Sequence, residues 1–222
     1  MRLLLFFFTI CCVASASSQA FTSGLLPDIV LSYKAGENYG IIHKLESRFP
    51  MYDSESKTGD IIFERLDFQN FLERKIGLFS KVAIGYQFRF NNNDFNEHRF
   101  IQQLTWSDNL RNFRLGHRIR ADQTVSEGEA PEFRFRYRAK VQLPLQGQEL
   151  DPGEYYLSLS DEVLSFFKSS DWGLDNRVVV KVGLYINDKN KIETGLDWRM
   201  EGFSTDTTEH SVWFALSWYK TL

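Results

Sequence analysis

Residues 133–143 alternate strictly between apolar and polar side chains. The apolar positions are Phe133, Phe135, Tyr137, Ala139, Val141 and Leu143. The positions between them are Arg134, Arg136, Arg138, Lys140 and Gln142. Because successive side chains of a strand point to opposite faces, this pattern predicts a strand with one apolar face and one cationic face. As a helix, the same residues would leave no continuous apolar stripe.

Such a strand suits two kinds of β-protein. In a soluble barrel or sandwich the apolar face packs on the core and the cations meet water. In a transmembrane barrel the apolar face meets lipid and the cations line a polar interior. The alternation lasts 11 residues; a tilted membrane-crossing strand needs about 9–11, and an average soluble strand about 5–6. Its length favours the membrane barrel but does not decide the matter.

The first 20 residues have the pattern of a secretory signal peptide. Arg2 precedes an apolar run at 3–14, and small-x-small sites follow at 14–16 and 18–20. The pattern predicts that residues 1–20 are removed on export and that residues 21–222 form the mature protein. Cys11 and Cys12 are the only cysteines, so we expect a mature chain without disulfides.

The remaining sequence predicts one all-β domain with eleven strands. They are expected at 28–34, 39–49, 61–73, 78–90, 96–107, 112–122, 132–144, 154–166, 175–186, 190–202 and 210–222. Tight turns are expected at 35–38, 107–109 and 187–190, and longer connections alternate with them at 51–60, 91–97, 123–132, 168–175 and 201–209. The exception is 144–154, which is long where the alternation requires a short turn. Connections sorted in this way are typical of an outer-membrane barrel.

We therefore predict an up-and-down antiparallel transmembrane β-barrel of 10–12 strands. A barrel with both chain termini at one end needs an even number of strands. The segment 28–34 is accordingly expected either to lie outside the barrel or to pair with a strand that the pattern does not reveal.

The polar parity of these strands would line the interior, where sixteen Arg and Lys side chains meet eight carboxylates. The carboxylates expected there are Glu46, Asp67, Glu97, Asp122, Glu162, Glu193, Asp197 and Glu201. We expect a lumen charge ladder of Arg99, Arg114, Arg118, Arg120, Arg134, Arg136, Arg138, Glu162, Arg177, Asp197 and Arg199. Guanidinium groups bind carboxylates in a bidentate manner, and Glu162 is the expected partner of the arginines at 134–138. A ladder that fills a narrow interior is the default expectation; an anion-attracting pore or pocket and a solvated face are the alternatives.

Four features resemble a bacterial family described as a domain of unknown function, number 2490. They are the Arg-x-Arg pairs at 118–120 and 134–136, Glu162 followed by Phe166, and the strand that contains Arg177. The resemblance covers most of 28–222 and implies an outer-membrane β-barrel.

The last predicted strand bears on insertion into the membrane. Phe214, Leu216, Trp218 and Leu222 have the spacing that the outer-membrane insertion machinery reads, but Lys220 stands where an apolar residue is expected. Because the spacing of the apolar residues fits apart from Lys220, we expect the outer-membrane insertion machinery and outer-membrane lipid as partners.

Sequence motifs for catalysis, metal binding or a cofactor are absent. The four histidines lack metal-ligand spacing and are expected at strand ends or at the membrane interface. A nucleophile elbow is also lacking, although Ser158 or Ser160 could meet His117 in the fold. Asp161 interrupts the apolar parity of its strand, which predicts a β-bulge or, less simply, a site. The net charge of −3 gives no reason to expect nucleic acid as a partner.

The sequence thus predicts a non-catalytic protein of the bacterial outer membrane, with a polar, net cationic lumen and no cofactor. Its role would be that of a narrow pore, with a small anionic solute as a candidate partner, or of a structural or binding barrel. Two alternatives stay open: a secreted lipocalin-like barrel that binds a hydrophobic ligand in an apolar interior, and an outer-membrane lipid-modifying enzyme. The membrane interpretation requires the side chains of Phe133, Phe135 and Val180 to lie on the outer surface of the barrel.

Overall fold

In a computed structural model, the described residues are 20–54, 60–92, 96–110, 113–202 and 208–222. The predicted signal peptide, apart from Ala20, lies outside them, as do parts of the expected connections at 51–60, 91–97 and 201–209. None of the described residues forms a helix long and apolar enough to cross a membrane.

Eleven strands account for nearly all of the described chain. They are β1 Phe21–Lys34, β2 Tyr39–Asp53, β3 Arg65–Lys75, β4 Ser80–Asn91, β5 Glu97–Leu110, β6 Phe113–Ser126, β7 Glu132–Pro144, β8 Glu154–Lys168, β9 Asp171–Asn187, β10 Asn190–Glu201 and β11 Glu209–Thr221. Each predicted strand corresponds to one of these, and the alternating pattern is therefore confirmed as a β pattern.

The strands form one closed barrel in which sequence neighbours pair antiparallel. The barrel closes where β1 pairs with β11 in parallel, from Phe21 opposite His210 to Ser32 opposite Thr221. β1 also pairs antiparallel with β2, so the expectation that 28–34 lies outside the barrel or has an unrecognised partner strand is wrong. With an odd number of strands, the first and last run in the same direction, so Phe21 and Thr221 lie at opposite ends of the barrel.

We name the two ends of the barrel the Phe21 end and the Leu222 end. Connections at the Leu222 end span 35–38, 76–79, 111–112, 145–153 and 188–189, and those at the Phe21 end span 54–64, 92–96, 127–131, 169–170 and 202–208. Two expectations are wrong. Residues 107–109 belong to β5, and 168–175 holds a two-residue turn flanked by strand, in which Ser169 has a φ of 56°.

The two faces of the wall are inverted relative to a soluble protein. Phe133, Phe135 and Val180 lie on the outer surface with 52%, 56% and 44% of their area exposed. Among the described residues, the buried side chains comprise seventeen polar or charged residues and seven apolar ones. The interior is therefore held together mainly by hydrogen bonds and ion pairs, and the apolar face of most strands points away from it.

Apolar contacts inside the barrel are confined to small patches. One of them joins Leu26, Trp213 and Ala215. In another place Tyr156 lies flat over Gly183 of the neighbouring strand, where an added Cβ would come within 2.2 Å of the ring. Glycine is required there because the aromatic ring occupies the volume of a side chain.

The pairing around Asp161 also differs from the prediction. The pairing of β8 with β7 and with β9 runs through this position without a shift in register, so the predicted bulge is wrong. Asp161 lies instead on the outer parity of β8 and accepts a hydrogen bond of 2.8 Å from the amide of Asn176 on β9.

Candidate functional site

The lumen of the barrel is the candidate site, since the charged side chains converge there. A cavity of about 500 Å³ occupies it. Fourteen Arg and Lys side chains and eight carboxylates line this cavity, which leaves an excess of six cations. The eleven residues predicted for the charge ladder all point inward, but they form separate clusters instead of one continuous ladder.

Glu162 is the centre of the first cluster. Its side chain is 3% exposed, and its two oxygens contact different arginines: Oε2 binds Arg118 Nη2, and Oε1 lies 3.6 Å from Arg136 Nη1. Arg136 also contacts Asp122 at 2.8 Å. Glu162 thus links β8 to both β6 and β7, and each of its oxygens is already engaged.

Asp197 is the centre of the second cluster. It binds Arg177 of β9 and Arg199 of its own strand, and the Nε atoms of the two arginines lie 2.9 Å and 3.1 Å from its oxygens. Asp197 is 1% exposed. One carboxylate shared by two guanidiniums leaves a local excess of one positive charge.

A third cluster runs from β3 to β6. Arg89 forms a bidentate pair with Asp67 at 2.6 Å and 2.9 Å and also contacts Glu97. Arg99 lies 3.3 Å from the same Glu97 and donates to Thr124 at 2.8 Å. Bidentate pairs of this kind fix the side chains and the strand register together.

A fourth cluster surrounds Glu193, nearer the Leu222 end. Glu193 accepts hydrogen bonds from the hydroxyls of Tyr156 at 2.8 Å and Tyr219 at 3.1 Å, and Lys140 lies 3.4 Å away. Nearby, Lys181 donates to Ser217 at 2.6 Å. Sequence reasoning placed Glu193 in the lumen but did not recognise the two tyrosines as its partners.

Four predicted arginines lie outside these clusters: Arg114, Arg120, Arg134 and Arg138. Arg114 donates to Ser107 at 3.0 Å, Arg120 donates to Gln103 at 2.8 Å and covers the ring of Phe71, and Arg134 binds Glu132. Arg138 makes no ion pair or hydrogen bond with another described residue. It is therefore the one member of the predicted ladder that remains without a bonded partner among the described residues.

Sequence reasoning missed several inward carboxylates. Asp28 contacts Lys44 at 3.0 Å, Glu73 contacts Lys81 at 3.0 Å, and Glu132 binds its neighbour but one, Arg134. Each of them lies on the inward parity of a predicted strand or at its end, so a strict extension of the alternation would have found them.

A second cavity of about 340 Å³ lies towards the Leu222 end. Arg114, Lys75 and Gln142 line it but do not line the larger cavity. The two cavities share four lining residues: Thr105, Arg118, Arg138 and Lys140. These four side chains, which we name the constriction, therefore border both cavities.

Comparison with known protein families identifies the family of this barrel. The family model described as "Protein of unknown function (DUF2490)" matches residues 24–210, which is most of the chain. The chain belongs to the DUF2490 family. The resemblance inferred from the arginine pairs, Glu162 and the Arg177 strand is thereby confirmed. No curated protein and no solved structure matches the chain.

The outer face of this DUF2490 barrel carries all four histidines, each against an aromatic ring. His43 stacks on Phe68, His98 lies beside Phe88, His117 stacks on Trp106 at 4.8 Å, and His210 stacks on Trp198. Within the described ranges, no three His, Cys, Asp or Glu side chains are arranged to hold a metal ion.

The serine–histidine pairing that the sequence left open is not formed. His117 points outward and donates to or accepts from the hydroxyl of Tyr137 at 2.8 Å. Ser158 is 4% exposed, and both Ser158 and Ser160 line the lumen cavity. The wall of the DUF2490 barrel separates these serines from His117, so they cannot act together as nucleophile and base.

Proposed function

We propose that this protein is a non-catalytic outer-membrane β-barrel whose net cationic lumen forms a narrow passage for small anionic solutes. The observation that carries the proposal is the inversion of the two faces: Phe133, Phe135 and Val180 are on the outside, and Glu162, Asp197 and other charged groups are buried inside. A transmembrane barrel has this distribution, because its outer band meets lipid and its interior is polar.

The polar side chains of the outer face support the proposal. Gln102 and Gln123 exchange two hydrogen bonds, at 3.0 Å and 2.9 Å, and Asp161 is bonded to Asn176. A polar group that faces hydrocarbon is costly unless it has a hydrogen-bond partner. Mutual pairing across strands is the solution that such a surface requires, whereas water would satisfy each group singly.

The aromatic residues of the outer face support it as well. Trp198 and His210 stack near the Phe21 end, and Trp106 and His117 stack nearer the Leu222 end. Amphipathic rings favour the two interfaces between membrane and water, so rings at both ends are expected of a membrane-embedded barrel. The insertion machinery and outer-membrane lipid are its proposed partners.

The lumen supports a role in the passage of anions. The chain has a net charge of −3, yet the residues that line the main cavity carry an excess of six cations. A cleft lined by one sign of charge concentrates ions of the opposite sign. An eleven-strand barrel is wider than the eight-strand barrels that side chains fill, and it is much narrower than the open porins.

The lipocalin-like alternative requires an apolar interior. The seventeen polar or charged side chains among the buried described residues weigh against such an interior, and so does the exposure of the apolar strand faces. The observations therefore favour the membrane barrel over a soluble carrier of hydrophobic ligands.

Cell fractionation tests the proposal directly. We expect the protein in the Sarkosyl-insoluble envelope fraction, with faster migration on a gel when the sample is not heated, as folded barrels show. A freely soluble, monomeric protein in the periplasm or the medium would refute the membrane assignment. A folded barrel in the membrane that passes no ions in planar bilayers would retain the location and remove the passage.

A further inference from the structure

The constriction that borders both cavities has an unusual charge arrangement. Arg118 and Arg138 stand directly opposite each other in the β6–β7 pairing, and Lys140 follows two residues later on the same face of β7. Like charges placed opposite one another on a sheet are destabilising. Three cations at one level of the barrel therefore need compensating negative charge.

The nearby carboxylates do not supply enough of it. Glu162 lies opposite Arg138 in the β7–β8 register, but its two oxygens contact Arg118 and Arg136. Glu193 lies beside Lys140 and also accepts bonds from two tyrosines. Arg138 has no bonded partner among the described residues, and the buried Nε atom of Arg118 makes no hydrogen bond.

We propose that the constriction is a binding site for a small oxyanion, with Arg138 as its principal determinant. This inference rests on the proposed passage and names the chemistry that the passage favours. A guanidinium group presents a planar fork of donors that matches the oxygens of phosphate or carboxylate. The Arg138 side chain lines both cavities, and Lys140 lines them beside it, so the Arg138 donors face space that a small solute can occupy.

The site is built into the wall of the barrel. Arg138 is the seventh of the thirteen residues of β7 and so lies at mid-height. Since it pairs with no carboxylate, its replacement leaves no buried acid without a partner and relieves repulsion with Arg118. The variant Arg138→Gln is therefore expected to fold.

The inference is tested by isothermal titration calorimetry, which measures the affinity of the purified barrel in detergent for inorganic phosphate. We expect Arg138→Gln to weaken phosphate binding about tenfold or more, because a charge-assisted hydrogen bond is lost. Arg138→Lys keeps the charge but loses the fork, and we expect an intermediate loss of affinity. The matched control is Arg74→Gln, which removes an exposed arginine that lies over the ring of Tyr39 and lines neither cavity; its affinity should equal that of the wild type.

Ion selectivity gives a second readout. In planar bilayers with a potassium chloride gradient, the wild type should prefer anions, and Arg138→Gln should move the reversal potential towards zero. Failure of the wild type to bind phosphate, or undiminished binding by Arg138→Gln and Arg138→Lys, would overturn the site. These outcomes are separate from the membrane assignment, because phosphate binding in detergent does not depend on where the cell places the protein.

Discussion

Glu162 is the buried carboxylate on which an arginine of β6 and an arginine of β7 converge. It is buried and compensates Arg118 and Arg136 at once. Removal of one member of a buried ion pair costs about 3–5 kcal/mol, because the remaining charge is left without compensation. We expect Glu162→Gln to lower the free energy of unfolding by about 3 kcal/mol or more, measured by urea titration of tryptophan fluorescence in lipid vesicles.

The control for this residue is Glu129→Gln. Glu129 is exposed and contacts Lys168 at the Phe21 end at 2.5 Å, and a surface pair of this kind contributes roughly 0–1 kcal/mol. An equal, small effect of both substitutions would mean that the lumen is wet enough to hydrate the Glu162 cluster, and that its arginines do not depend on that carboxylate.

The alternation of side chains predicted which residues face the lumen, but it could not predict which charges pair. Arg118 reaches over β7 to Glu162, whereas Arg138, the direct neighbour of Glu162, does not bind it. That choice depends on the curvature of the closed wall and on side-chain rotamers, and neither is visible in a pattern with a period of two.

At the scale of the strands, the seam between β1 and β11 is the feature that closes the barrel. It is the only parallel pairing among the described strands, with Ile29 opposite Trp218 and Leu25 opposite Phe214. The sequence pattern predicts both strands but not their pairing, because an even number of strands was expected and a parallel closure needs an odd number. The connection predicted at 168–175 is too long for a different reason: its polar composition is typical of a loop, although β8 and β9 pair up to a two-residue turn.

Cysteine cross-linking tests the seam. The only cysteines in the chain lie at 11 and 12, so engineered thiols can be followed without interference in the strands. We expect the pair Ile29→Cys and Trp218→Cys to form an intramolecular disulfide on mild oxidation, since residues opposite each other are close enough to be bridged. The measurement is a gel-mobility shift that reductant reverses.

The control pair is Ile29→Cys with Phe214→Cys. Phe214 lies four residues before Trp218 on the same face of β11, about 13 Å further along the strand, which is too far for a disulfide. Cross-linking of the control pair but not of the first would show a different register. Absence of any cross-link would show a barrel that is open at β1 and β11.

At the scale of the whole molecule, the charged lumen and the apolar outer band follow from the same alternation of side chains along the strands. Because the lumen holds the cations and their carboxylates, the outer band is free to be apolar across all eleven strands. The opposite arrangement would bury the aromatic residues and would leave Arg134, Arg136 and Arg138 in water. The same alternating sequence is compatible with either arrangement. The two differ only in which face of the sheet, the apolar or the charged one, is on the inside when the barrel closes.

Arginine substitutions at two depths of β9 distinguish a bilayer from water around this molecule. Val180 lies at the middle of β9 and Ile186 near its end, on the same outer face and with similar exposure, 44% and 40%. In a bilayer, Val180→Arg should destabilise the barrel by about 2–4 kcal/mol and Ile186→Arg by about 0–1 kcal/mol. On a surface in water, both substitutions should stay within about 0.5 kcal/mol of the wild type. Urea titrations of folding into lipid vesicles measure the difference, and equal stabilities of the two variants would place this face in water and refute the membrane barrel.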